Sequence, residues 1–194
     1  MPTTTPFPVP ARALLVAGLL AASLLAPATA NTDPIQPDTA ALFDHSLRRL
    51  HSSETVDLRA AYAGHPLLVV NTASHCGYTR QFEGLEALHR RYQEAGLKVV
   101  GFPSNDFRQE ADDEAKTAEV CFLNYGVSFD MFSPIGVRGA DAHPIFRELA
   151  RQSEAPGWNF HKYVIDRDGR VVAAFPSRIE PDAGALREAI EKVL

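Results

Sequence analysis

Two cysteines, Cys76 and Cys121, are the residues of this 194-residue chain best suited to covalent chemistry. Cys76 falls where an apolar run, Leu67 to Ala73, stops and a helical pattern beginning near Thr79 starts. Unpaired backbone N–H groups and the dipole at a helix start favour an anion, so the position suits a thiolate nucleophile and redox chemistry at sulfur. Thr79 stands where a Cys-x-x-Cys motif has its second cysteine, which excludes dithiol exchange within such a motif. Two cysteines in an exported domain also commonly form a permanent disulfide, and their spacing alone leaves that reading open.

The elements that must position these sulfurs follow from apolar periodicity. Leu67-Leu68-Val69-Val70 is the continuous apolar run of a strand buried on both faces, and Leu97-Lys98-Val99-Val100-Gly101-Phe102 repeats it one helix later. Between them Phe82, Leu85, Leu88 and Tyr92 recur at helical spacing and Gly96 supplies the stop, while Gly84 weakens the helix interior. Asp112 or Asp113 caps a second helix over residues 113–125, which carries Cys121 and places Ala115, Ala118, Phe122 and then Tyr125 on one face. Tyr163 to Ile165 and Val171 to Phe175 flank Arg167-Asp168-Gly169-Arg170, whose Asp-Gly pair signals a hairpin. A last helix, opened by Pro181, presents Leu186, Ala189, Ile190 and Val193 inward. This order predicts an α/β domain with a central mixed sheet flanked by helices on both faces, the thioredoxin arrangement.

Residues 13–26, ALLVAGLLAASLLA, follow Arg12 and precede Ala28-Thr29-Ala30, the pattern of an export signal over residues 1–30 with cleavage before Asn31. The apolar run is shorter than the roughly 20 residues a bilayer span needs. Residues 31–40 are polar and hold two prolines, reading as a flexible lead-in, and residues 41–194 suit one domain with one sizeable core. Without Arg12 the mature chain has 18 basic residues against 24 acidic ones, a net charge near −6. That balance disfavours a phosphate backbone or an anionic membrane surface as partner. The expected location is periplasmic, where a persistent or catalytic disulfide is chemically permitted.

The residues around Cys76 resemble a known family. Val70-Asn71-Thr72-Ala73-Ser74-His75-Cys76-Gly77-Tyr78-Thr79 is similar to the active-site segment of the glutathione peroxidases. Gly101-Phe102-Pro103-Ser104-Asn105-Asp106-Phe107 resembles that family's second signature, and Trp158-Asn159-Phe160 its third. Tyr125-Gly126-Val127 and Ala142-His143-Pro144 extend the resemblance in the correct order from about Ala41 to Leu194. It implies that Cys76 is the peroxidatic thiol and that Gln109, Trp158 and Asn159 complete a catalytic tetrad of neutral donors. It further implies reduction of hydrogen peroxide and organic or lipid hydroperoxides through a Cys76 sulfenic acid. Cys121 matches the resolving cysteine of the two-cysteine branch. A thiol reductant, a thioredoxin-like protein or glutathione, is then the co-substrate, with no bound cofactor and no metal. The short stretch Ala150 to Gly157 is similar to the monomeric branch, for which glutathione is the less expected donor.

The chain departs from the family pattern at several points. Phe107-Arg108-Gln109-Glu110 is one residue shorter than the usual Phe-Gly-x-Gln-Glu and carries a charge. Arg80 and Asp130 replace prolines, and Ser104 stands where many relatives have a third cysteine. His75 alternates away from Cys76 in an extended segment and is expected at the surface. His143 before Pro144 reads as a turn or capping residue, and the dispersed histidines, His161 among them, form no ligand cluster of the kind a metal site needs. A copper-binding thioredoxin-fold chaperone would want two closely spaced cysteines. A peroxide sensor that relays oxidation to a partner uses the same two cysteines as a scavenging peroxidase, and turnover separates the two.

Overall fold

Cap residues and apolar runs set most of the element boundaries. The computed structural model describes residues 1–5 and 36–194, so the apolar run and the Ala-Thr-Ala site read as an export signal lie outside the described residues. The first helix, α1 (Thr39–Phe43), starts within the stretch read as a lead-in because the Asp38 carboxylate accepts hydrogen bonds from the amides of Ala40 and Ala41. Strands β1 (Ser46–Arg48) and β2 (Thr55–Asp57) form a small antiparallel ribbon, and Asp57 caps the α2 helix (Leu58–Tyr62) in the same way. Sequence periodicity does not mark these short pieces, each being only three to five residues long.

The expected β-α-β unit follows. Strand β3 (Leu67–Thr72) is buried along its whole length, helix α3 (Gln81–Tyr92) is succeeded by one 3₁₀ turn, and Gly96 stops it with φ +102° before β4 (Lys98–Pro103). Helix α4 (Glu114–Ala118), capped by Asp113, continues as a wider π-helical turn over Glu119–Asn124. Then come β5 (Asp130–Met131), α5 (Pro144–Gln152), β6 (Lys162–Ile165), β7 (Val171–Phe175) and α6 (Gly184–Glu191). The β6–β7 connection is the predicted hairpin, with Gly169 at φ +83° and the Asp166 carboxylate accepting from the amides of Asp168 and Arg170.

The five-stranded sheet has the order β5-β4-β3-β6-β7. Strand β3 is central, parallel to β4 (Leu67 opposite Lys98) and antiparallel to β6 (Leu67 opposite Ile165). Alternation along the strands sends Leu68, Val70, Val99 and Val164 to one face, where α3, α4 and α6 pack, and Leu67, Val69, Val100, Tyr163 and Ile165 to the other, covered by α1, α2 and α5. Helices on both faces of a mixed sheet give the α/β thioredoxin fold that the element order predicted.

Two expectations need correction. Pro181 does not open the last helix, which starts at Gly184; the proline instead packs on α3, where a Cβ at Gly84 would come within 2.9 Å of its own Cβ. The glycine that weakens α3 is therefore what lets this proline close on it. On the helix that follows Asp113, Cys121 and not Phe122 faces the core, and Phe122 and Leu123 are exposed. The shared-face reading assumed 3.6 residues per turn throughout, and the π-helical stretch does not hold that repeat. Among the described residues no helix is long and apolar enough to cross a membrane.

Candidate active site

Cys76 sits in the turn between β3 and α3, and Thr79 fixes that turn. The Thr79 hydroxyl accepts from the Cys76 amide at 3.1 Å and lies 2.7 Å from the Cys76 carbonyl and 3.0 Å from that of Ala73. Three turn hydrogen bonds run from Thr79, Gln81 and Phe82 back to Cys76, Tyr78 and Thr79, and only then does the regular helix begin. The donor that meets the sulfur is accordingly an amide of this turn: Tyr78 N–H points at Cys76 Sγ at 3.5 Å. Cys76 is buried, and His75 is exposed beside it as the alternation predicted.

The Gln109 loop lies directly against this turn, since His75 N–H donates to the Gln109 carbonyl at 2.9 Å. Its side chain meets Asn159, whose Nδ2 donates to Gln109 Oε1 at 3.2 Å. In this shortened loop Arg108 adopts a left-handed conformation with φ +57°. That is the conformation glycine takes freely, and the family pattern has glycine after the phenylalanine.

Trp158 and Asn159 are held from beneath by Asn71 on β3. Asn71 Nδ2 donates to the Trp158 carbonyl at 3.1 Å, its Oδ1 accepts from His161 N–H at 3.0 Å, and its carbonyl accepts from Phe160 N–H at 2.6 Å. The indole packs against Phe107, with ring centroids 5.1 Å apart, and remains 41% exposed. Trp158 lines an open groove with Tyr78, His161 and Arg178. Asn159 is fully buried, with its Oδ1 lacking a partner among the described residues.

Lys162 completes the clamp, and sequence reasoning missed it. Its side chain is 0% exposed and its Nζ donates at 2.7 Å to the carbonyl of Phe160, a residue itself held at φ +62°. Burial pushes the Lys162 ammonium down to about 8, against the opposing pull of Glu180. The available signal was a lone charge heading the apolar run Lys162-Tyr163-Val164-Ile165.

Cys121 lies in the π-helical turn and is 1% exposed. Both cysteines are free thiols. Burial foremost, and then the charge of Glu110, push the Cys121 thiol up to about 12. The other singled-out side chains have structural roles. His143 caps α5 through its Nδ1, which accepts from Ile145 N–H at 3.4 Å. His161 is buried against Tyr163, with its Nε2 3.7 Å from the Glu154 carboxylate, and burial lowers its pKa. Among the described residues no group of three or more His, Cys, Asp or Glu side chains is placed to hold a metal ion.

The turn of Cys76 thus adjoins the Gln109 loop, whose amide pairs with Asn159, and Tyr78 of that turn shares a groove with the Trp158 indole, while Cys121 is a second, buried thiol. Comparison with known proteins gives the same reading. Residues 42–150 match the family model for glutathione peroxidase. The chain is 42% identical over 158 residues to a glutathione peroxidase of Lactococcus lactis subsp. cremoris, a match covering 78% of this chain and 98% of that protein. Among solved structures, Trgpx in its apo form superposes with a TM-score of 0.58 at 33% identity, covering 77% of this chain and 94% of that one. A thiol:disulfide interchange protein of the thioredoxin family from Chlorobium tepidum, 14% identical, shares the fold with a TM-score of 0.62 over 84% of this chain and 99% of that one. The chain belongs to the glutathione peroxidase family and is a thiol-dependent peroxidase on a thioredoxin fold.

Proposed function

We propose that this peroxidase is a two-cysteine enzyme that reduces hydrogen peroxide and organic or lipid hydroperoxides, works as an exported monomer in the periplasm and is recycled by a thioredoxin-like donor. The observation that carries the reading is the hydrogen-bonded Gln109–Asn159 amide pair packed against the turn of Cys76, with a second free thiol at Cys121. The Cys76 thiolate attacks one peroxide oxygen; the S–O bond forms as the O–O bond breaks, and the alkoxide or hydroxide leaves with a proton as alcohol or water. Neutral donors from Gln109, Trp158 and Asn159 orient the peroxide and stabilise negative charge on sulfur and leaving oxygen without adding a competing charge.

The resulting Cys76 sulfenic acid condenses with the Cys121 thiol, giving a disulfide and water. A dithiol donor then attacks that disulfide, forms a mixed disulfide and leaves oxidised, with both cysteines restored to thiols. Cys121 is buried in a helix, and the cycle proposed here includes an opening of the 114–124 segment that brings the two Cα atoms within about 7 Å, as a disulfide needs. Export rests on residues 13–30 and is tested by N-terminal sequencing of the protein from a periplasmic fraction.

A steady-state peroxidase assay with thioredoxin-type and glutathione reducing systems, run on wild type, Cys76→Ser and Cys121→Ser, tests the cycle. The expected result is no turnover in Cys76→Ser and loss of thioredoxin-dependent turnover in Cys121→Ser. Full thioredoxin-dependent activity in Cys121→Ser would remove the resolving role.

A further inference from the structure

Glu110 is a buried acid that the peroxide chemistry does not use, and it touches both cysteine-bearing segments. A single oxygen, Oε1, accepts from the hydroxyl of Ser74, from the hydroxyl of Thr117 at 2.9 Å and from Ala111 N–H at 2.7 Å. Ser74 lies two residues before Cys76 in the active-site turn, and Thr117 lies four residues before Cys121, one turn earlier on the same helix. All three side chains are buried, and Glu110 Oε2 has no partner among the described residues. Burying a carboxylate is costly unless donors offset it. Here the two hydroxyls that do so come from the two elements whose separation the resolving step must change.

The segment that bears Cys121 changes its hydrogen-bond repeat along its length. Its α-helical part is only five residues long before the ladder widens into the π-helical turn. The Glu110 charge also acts on Cys121 and favours its thiol form.

We propose that Glu110 is a positioning residue for the resolving step, a tie between the Cys76 turn and the Cys121 helix that restrains the helix and so sets how fast Cys121 reaches oxidised Cys76. This rests on the two-cysteine cycle proposed above. The covalent step itself is unchanged: the Cys121 S–H proton and the sulfenic hydroxyl leave as water while the S–S bond forms, and Glu110 is neither consumed nor altered.

The test follows the full chain after one equivalent of hydrogen peroxide, quenching with a thiol-blocking reagent and resolving sulfenic acid from disulfide by mass. Thr117→Val removes the donor to Glu110 at nearly constant volume, and Thr117→Ser restores it. Cutting one hydrogen bond to a charged acceptor changes an opening equilibrium by roughly tenfold. Disulfide formation in Thr117→Val is therefore expected about tenfold faster than in wild type, with the rate of Cys76 oxidation unchanged and Thr117→Ser behaving as wild type. Glu110→Gln keeps an acceptor oxygen but loses the charge assistance, and a severalfold acceleration is expected there, which also serves if Thr117→Val does not fold. An unchanged or slower disulfide step in these variants, or Thr117→Ser tracking Thr117→Val, overturns the tie. Absence of any Cys76–Cys121 disulfide in wild type overturns the cycle itself, and is read before any substitution is made.

Discussion

Asn159 donates a hydrogen bond of 3.2 Å to Gln109, joining two loops whose residues are 50 positions apart in the chain. Two amides that hold each other act as one unit. Replacing either by alanine is expected to lower kcat/KM for hydrogen peroxide by about 10²- to 10³-fold. The double replacement should cost little more than the worse single one, because each already releases its neighbour. Losses that multiply fully in the double variant would mean that the two side chains act independently.

Cys121 is expected to resist alkylation in the reduced native protein. Burial and the nearby acid keep it a thiol, with its pKa pushed up to about 12, and the thiolate is the reactive form. Iodoacetamide at pH 8 followed by peptide mass mapping should label Cys121 only when denaturant is present. Rapid native labelling would show that the 114–124 segment opens without oxidation.

Lys162 makes stability depend on pH in a defined direction. Its pKa is pushed down to about 8 from an ordinary value of 10.5, so between these limits the unfolded chain binds the proton more tightly than the folded one. The ammonium's penalty is present in full below pH 8 and fades as pH rises towards 10.5, so stability from this group increases with pH. Over that window wild type should gain on the order of 3 kcal/mol relative to Lys162→Met. Urea unfolding of both proteins at pH 7.5, 9 and 10.5 measures the difference, and parallel curves would contradict it. The comparison is between the two proteins because Cys121, raised in the fold, acts oppositely above pH 9 in each.

Gly84→Ala is expected to destabilise the protein although alanine favours helix. The intrinsic gain is about 1 kcal/mol. The new Cβ would come within 2.9 Å of Pro181 Cβ, and crowding a packed contact costs about 1–3 kcal/mol. A net loss of about 1 kcal/mol in urea unfolding is the expected balance. A gain would show that the segment of Pro181 withdraws from α3 at no cost.

The central β-α-β unit and the hairpin were legible in the sequence because each depends on a local pattern: apolar runs in β3 and β4, helical spacing in α3, and Asp168-Gly169 between β6 and β7. Other features depend on what the chain meets after folding. Pro181 reads as a helix opener from its neighbours alone, yet its place is set by the missing side chain of Gly84. The sequence shows the loop of Gln109 to be one residue short but not where its amide goes; the structure pairs that amide with Asn159 and holds the neighbouring Arg108 in a left-handed conformation that arginine seldom adopts. Lys162 was invisible as a clamp because its acceptor is a backbone carbonyl in a turn with no sequence signature.

The division of apolar residues by the sheet has a consequence for how the molecule tolerates repeated oxidation. Both sulfurs lie in the layer of α3, α4 and α6, whereas the opposite layer, rich in aromatic side chains such as Phe102, Phe132, Phe146 and Tyr163, contains neither. Segments that pack mainly on one side of a sheet can open as a unit without dissolving the other side. Under the two-cysteine cycle proposed above, the layer that would loosen to join the sulfurs is therefore not the aromatic one, and that second layer would keep the strands in register so that the turn of Cys76 re-forms for the next peroxide.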